Sequence, residues 1–144
     1  MSRMFLAVFG LACLLLSGCA LGYKGWPQPQ SADDQFLWRL VTGERQGSCL
    51  VIEGRLEGAY QNLASVTVQL EGLGPDAGCV ECPFSPDRLV DLAPGDSGYE
   101  EIGPYVRLVV CDVEPAREYK FRIVGHSSLR SLQPVRSSVL ISSP

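Results

Sequence analysis

Cys79-Val80-Glu81-Cys82 places two thiols three residues apart. Thiol–disulfide exchange uses this spacing when a following helix N-terminus stabilises the first thiolate. Here the flanks are Gly78 and Pro83, and no helix is expected to follow. The pair could also supply half of a zinc site. Structural zinc sites draw ligands as closely spaced pairs, however, and Cys49 and Cys111 each stand alone, far along the chain on either side. No metal and no cofactor is therefore expected. In an exported chain, four such cysteines read as two disulfides, and three connectivities are open. Each bond closing a long loop would contribute roughly 2–4 kcal/mol, mostly by restricting the unfolded chain.

Other reactive side chains are sparse. His126 is the single histidine, followed by Ser127 and Ser128. Triads assemble from distant residues, but no strained nucleophile turn of the G-x-S-x-G kind is present, so a solvated loop histidine is expected and no catalytic residue is assigned. Asp91, Asp96, Glu100 and Glu101 form an acidic stretch without calcium-loop spacing and read as a solvated face. Lys120 and Arg122, with Arg117 nearby, are expected on one exposed strand face, either meeting an acidic partner or pairing with Glu71 on another strand.

The elements that must position these groups are short strands. Val66-Thr67-Val68-Gln69-Leu70-Glu71 alternates apolar and polar residues, the pattern of an antiparallel sheet with one wet face. Phe36, Trp38 and Leu40 share one face at period two, and Tyr119, Phe121 and Ile123 share another. Further strands are expected over 49–56, 88–92, 105–113 and 135–141, with 72–86 as a turn-rich loop. Some seven short strands, turn signals at regular intervals and no helical crossovers predict an all-β fold, a small antiparallel β-sandwich, with a small barrel as the competitor. The sequence carries 12 basic and 16 acidic side chains, and no basic cluster points to nucleic acid.

Before the domain, Arg3 gives a weakly positive start, Met4 to Leu16 is apolar, and Leu16-Ser17-Gly18-Cys19 follows. The apolar run is too short to span a bilayer core of about 30 Å. This stretch resembles the signal peptide and lipobox of bacterial lipoproteins. The resemblance implies that residues 1–18 are removed, that Cys19 takes a diacylglycerol on its thiol and an acyl chain on its amine, and that several chains together anchor stably. Ala20 stands where an aspartate would favour inner-membrane retention. The implied address is therefore the outer membrane, facing the periplasm, with the inner membrane and the cell surface as alternatives. Residues 19–35 hold Pro27, Pro29, Gly22 and Gly25 and read as a flexible tether, with the sandwich domain over 36–144. Trp26, within the tether, could meet lipid headgroups or fold back on the domain.

Ile52-Glu53-Gly54-Arg55-Leu56, Val66-Thr67-Val68-Gln69-Leu70 and Leu92-Ala93-Pro94-Gly95-Asp96 leading to Tyr99 resemble FxLYD-type and related immunoglobulin-like domains of bacterial envelope proteins. These are small sandwiches, usually without a catalytic role. The likeness to antibody-type sandwiches implies a Cys49–Cys111 bond between sheets and leaves Cys79–Cys82 as a local staple. Strand parity is awkward for it, because Leu50, Ile52 and Leu56 turn Cys49 outward, and Val106, Leu108 and Val110 turn Cys111 outward; the two could instead meet across neighbouring strands or at an edge. The expected role is a non-catalytic accessory or protein-interaction module. It would be held to the membrane by its N-terminal lipid, contact another envelope protein, and have an oligomeric state the residues do not specify. The Gly72–Phe84 loop is the first candidate contact surface. A subunit of an outer-membrane secretion or pilus assembly, and a thiol redox or metal-binding protein acting through Cys79 and Cys82, are the alternatives.

Overall fold

A computed structural model describes residues 32–143. Cys19, Trp26 and most of the expected tether lie outside the described residues. Ala32–Asp34 forms a 3-10 turn four residues ahead of the boundary read from the sequence. Asn62 Nδ2 donates to the Asp34 carbonyl at 2.9 Å, and the Ala59 N–H donates to the Gln35 carbonyl at 2.9 Å.

Two antiparallel sheets face one another across one core. The first contains β1 (Phe36–Gln46), β2 (Cys49–Gly58), β6 (Tyr105–Cys111) and β5 (Tyr99–Ile102), in that order. The second runs β4 (Arg88–Leu92), β3 (Leu63–Gly72), β7 (Tyr119–Ser127), β8 (Val135–Arg136), with β9 (Leu140–Ile141) also on β7. This is an immunoglobulin-like Greek key with an extra strand beside the third. The alternating residues meet in the middle: Leu50, Ile52, Leu108, Val66, Val68, Leu70, Phe121 and Ile123 are all essentially inaccessible. Burial of this apolar surface is the dominant stabilising term.

Three local readings change. Leu40 does not continue the stripe of Phe36 and Trp38; it is 76% exposed. The β1 register steps from Arg39↔Arg55 to Thr42↔Glu53, so Leu40 and Val41 together stand opposite Gly54. The extra residue of this bulge reverses the parity of the strand beyond it. Gly43 then faces inward, where a Cβ would come within 2.4 Å of the Phe121 ring.

The strand β5 was not expected. It is a four-residue edge strand with one inward apolar residue, Tyr99, and its acids point to solvent. Short charged edges resist pairing with other chains, and the same composition hides them from a hydrophobic pattern. The expected strand over 135–141 is two short pieces on β7. Ser137 and Ser142 make the connection, accepting through their Oγ atoms from the N–H groups of Ile123 and Tyr119 at 3.1 Å each.

Candidate functional site

The sandwich has two unlike ends. At one end lie the β1–β2 turn (Gly47, Ser48), the loop 73–87 and the segment 112–118. At the other lie the start of β1, the connections 59–62 and 103–104, and the loop 128–134.

The first end gathers all four cysteines as disulfides. Cys49 and Cys111 are bonded, and so are Cys79 and Cys82. The expected pairing therefore holds, but not its expected place. Cys49 and Cys111 are register partners on adjacent strands β2 and β6 of one sheet. Their outward parity is satisfied by a bond across the outer face, whereas an inter-sheet bond would have required a cysteine on β7.

The loop 73–87 lies flat on the outer face of the second sheet. Glu71 on β3 and Lys120 on β7 are register partners and are buried, 5% and 4% exposed, so the exposed face expected for Lys120 is corrected. Both side chains reach up into loop backbone. Lys120 Nζ donates to the carbonyls of Cys79 at 2.5 Å and Cys82 at 2.7 Å, while Glu71 Oε2 accepts from the Ser85 N–H at 3.0 Å. A buried charge is tolerable only with such partners. Gly78 must be glycine here, since a Cβ would come within 2.3 Å of the Glu71 carboxylate.

Arg122 donates to Gln69 Oε1 and lies under the Phe84 ring, 5.2 Å from its centroid. Arg117 donates to the Leu73 carbonyl, Arg88 to those of Cys111 and Asp112, and Arg45 to that of Pro115. The basic residues of this end thus cap loop carbonyls and do not form a free basic face. The result is a rigid loop with Cys79, Val80 and Cys82 outermost, beside an open cleft of 960 Å³ lined by Arg45, Pro75, Asp76, Val80, Glu114 and Arg117.

Among the described residues no helix follows Cys82. Among the described residues no group of three or more His, Cys, Asp or Glu side chains is placed to hold a metal ion.

His126 is brought together with a hydroxyl and a carboxylate, but with Thr67 and Asp91, not with Ser127 or Ser128. Thr67 Oγ1 donates to Asp91 Oδ1 at 2.5 Å and lies 2.9 Å from His126 Nε2. The threonine hydroxyl thus lies between the imidazole and the carboxylate, whereas in a nucleophile–histidine–carboxylate triad the histidine lies between the other two. Of the remaining acids, Asp96 caps its own turn through the Ala93 N–H at 2.8 Å, and Glu100 pairs with Arg107 at 3.7 Å. Glu101 accepts from the Tyr99 hydroxyl at 2.8 Å. Burial, the hydrogen bond to Glu101 and the charge of that residue together push the Tyr99 phenol well above its ordinary range.

The second end carries exposed apolar residues. A cleft of 380 Å³ on the outer face of the first sheet is lined by Leu40, Ile102, Tyr105, Arg55 and Arg107 among others. Sequence reasoning missed it, because Leu40 was assigned to the core and Ile102 to no strand.

No family model and no curated protein matches this chain. Among solved structures, a DUF3823 family protein from Bacteroides ovatus is similar at 12% identity and a TM-score of 0.49, over 75% of this chain and 55% of that one. The chain thus spans little more than half the length of that β-rich neighbour.

Proposed function

We propose that this chain is a lipid-anchored envelope lipoprotein, attached through Cys19 to the outer membrane. Its sandwich would work as a non-catalytic module that binds another envelope protein. The resemblances to the lipobox and to FxLYD-type domains support the address. Two disulfides in a domain of this size support it too, since such bonds persist in oxidising compartments. The observation that carries the binding role is the loop 73–87. It is held by a disulfide, by Lys120 and by Glu71, yet it presents Val80 at 53% exposure beside an open cleft. A preorganised loop loses little entropy on binding, and end loops of sandwiches commonly serve recognition.

The test has two arms. Labelling with radioactive palmitate should mark the protein and fail for Cys19→Ala, which should also leave the membrane fraction. A photocrosslinking residue at Val80, activated in native membranes, should capture one discrete envelope protein. Capture at Leu89 on the side of the sandwich, but not at Val80, would assign the partner to another surface. Membrane association of Cys19→Ala would sink the anchor.

A further inference from the structure

We propose that the outer face of the first sheet, in the half of the sandwich from which the N-terminal segment leaves, docks directly on the lipid bilayer. Leu40, Ile102 and Tyr105 would enter the interface, with Arg55 at headgroup level. This rests on the lipid anchor at Cys19 and adds an orientation to it.

Ten large apolar side chains are exposed among the described residues. Six of them, Leu37, Leu40, Tyr60, Ile102, Tyr105 and Leu129, lie in the half of the domain that contains the start of β1. Three form one continuous patch. Ile102 is the register partner of Tyr105, Tyr105 of Arg55, and Arg55 of Arg39, the neighbour of Leu40. Leu40, Ile102 and Tyr105 are 76%, 68% and 57% exposed. A bulky side chain held this far into solvent at a left-handed φ of 49° serves no packing purpose in the domain.

The polar residues around the patch suit an interface. Arg107 is matched to Glu53 and Glu100, and Arg39 to Glu57. Arg55 lies over the Tyr105 ring, 5.9 Å from its centroid, where an aliphatic stem lies along apolar surface and the guanidinium can meet a phosphate. Tyrosine and arginine beside leucine and isoleucine is the composition of interfacial contacts.

Chain length argues for the bilayer as the occupant. From Cys19 to Ala32 there are thirteen steps, a reach of at most about 45 Å fully extended. The anchored lipid therefore keeps this end, where Ala32 sits, near the surface at high local concentration. The loop 73–87, tied to the outer face of the second sheet, then points away, toward a partner.

The experiment uses the full, lipidated chain in phosphatidylethanolamine/phosphatidylglycerol vesicles. Tryptophan is introduced by Ile102→Trp or, at the opposite end, by Val80→Trp, both in a Trp26→Phe background whose own emission, from the buried Trp38, is subtracted. Flotation reads the anchor, and quenching by brominated acyl chains reads the docking. I102W should be quenched and blue-shifted while V80W stays unquenched. Adding Leu40→Asn should weaken the I102W quenching severalfold, with circular dichroism unchanged. Equal quenching at the two ends in floated protein keeps the anchor and overturns the docking. A blue-shifted I102W indifferent to bromine means that a second copy covers this face, and overturns it as well. Protein that does not float removes both.

Discussion

The two ends of the sandwich solve the problem of loop backbone differently. At the disulfide-stapled end, Lys120, Arg117, Arg88 and Arg45 each donate to carbonyls of the loops that lie there. Two covalent bonds add to these ties. At the end where the N-terminal segment leaves, Asn62 donates to the Asp34 carbonyl, the Ser128 N–H to the Asn62 carbonyl and the Trp38 indole to the Val135 carbonyl. There apolar side chains stand in solvent. Cations spent on carbonyls fix a shape, whereas apolar groups left uncovered mark a surface that another phase or molecule covers. On the proposed reading, the contrast separates a region that presents a loop to a partner from one that rests on the membrane.

The largest expected effect concerns the staple. Cys49–Cys111 spans 62 residues, and its loss in Cys49→Ala/Cys111→Ala should cost about 4 kcal/mol on the chain-entropy account, read by urea unfolding. Cys79–Cys82 spans three residues, and its loss should cost about 2 kcal/mol or less while freeing the loop to proteolysis. Equal losses would erase the distinction between a bond that stabilises the fold and one that shapes a surface.

Lys120→Ala should cost about 2–3 kcal/mol, since two loop carbonyls lose their charged donor. Proteolysis within 73–87 should rise, with no change at 128–134. An effect spread over both loops would mean that Lys120 supports the whole sheet and not this loop.

At the other end Leu40→Asn should stabilise the domain slightly, by up to about 1 kcal/mol, because asparagine tolerates the left-handed backbone better than leucine. A melting curve decides it. A clear loss of stability would show Leu40 to be a packing residue and would remove the resting surface with it.

The smallest effect is a pH dependence. The Tyr99 phenol is raised above its unfolded value of about 10, so its contribution is present below pH 10. It declines as pH rises further, because the unfolded chain ionises first. Tyr99→Phe should flatten the stability curve above about pH 10 relative to the parent. An unchanged slope would show that the edge strand β5 does not hold the phenol protonated.

Much of the fold was legible. Val66, Val68 and Leu70, or Val106, Leu108 and Val110, declare their inner face by alternation alone. The outward parity of Cys49 and Cys111 was readable as well, and it contained the correct answer, a bond between adjacent strands. Likeness to antibody domains pointed to a bond between sheets, whereas Cys111 lies on β6, beside β2 in the same sheet. The bulge at Leu40 was invisible for a different reason. A single inserted residue reverses every later side chain, and nothing local in Leu37-Trp38-Arg39-Leu40-Val41 marks where the insertion falls.

The candidate site was legible only as a loop. Cys79 and Cys82 with the glycines and prolines around them announced a stapled turn, and Lys120, Arg122 and Glu71 were read as members of a strand face. That face exists, but the loop lies on it. Composition and spacing therefore determine by themselves the all-β class, the core and the presence of four pairable thiols. These properties follow from the period-two geometry of a strand and from counting. Which thiols meet, which charges are buried and which apolar groups stay exposed was decided by the tertiary structure. Each depends on what covers a given face, and cover is supplied by residues distant in the chain, whose register no local pattern encodes.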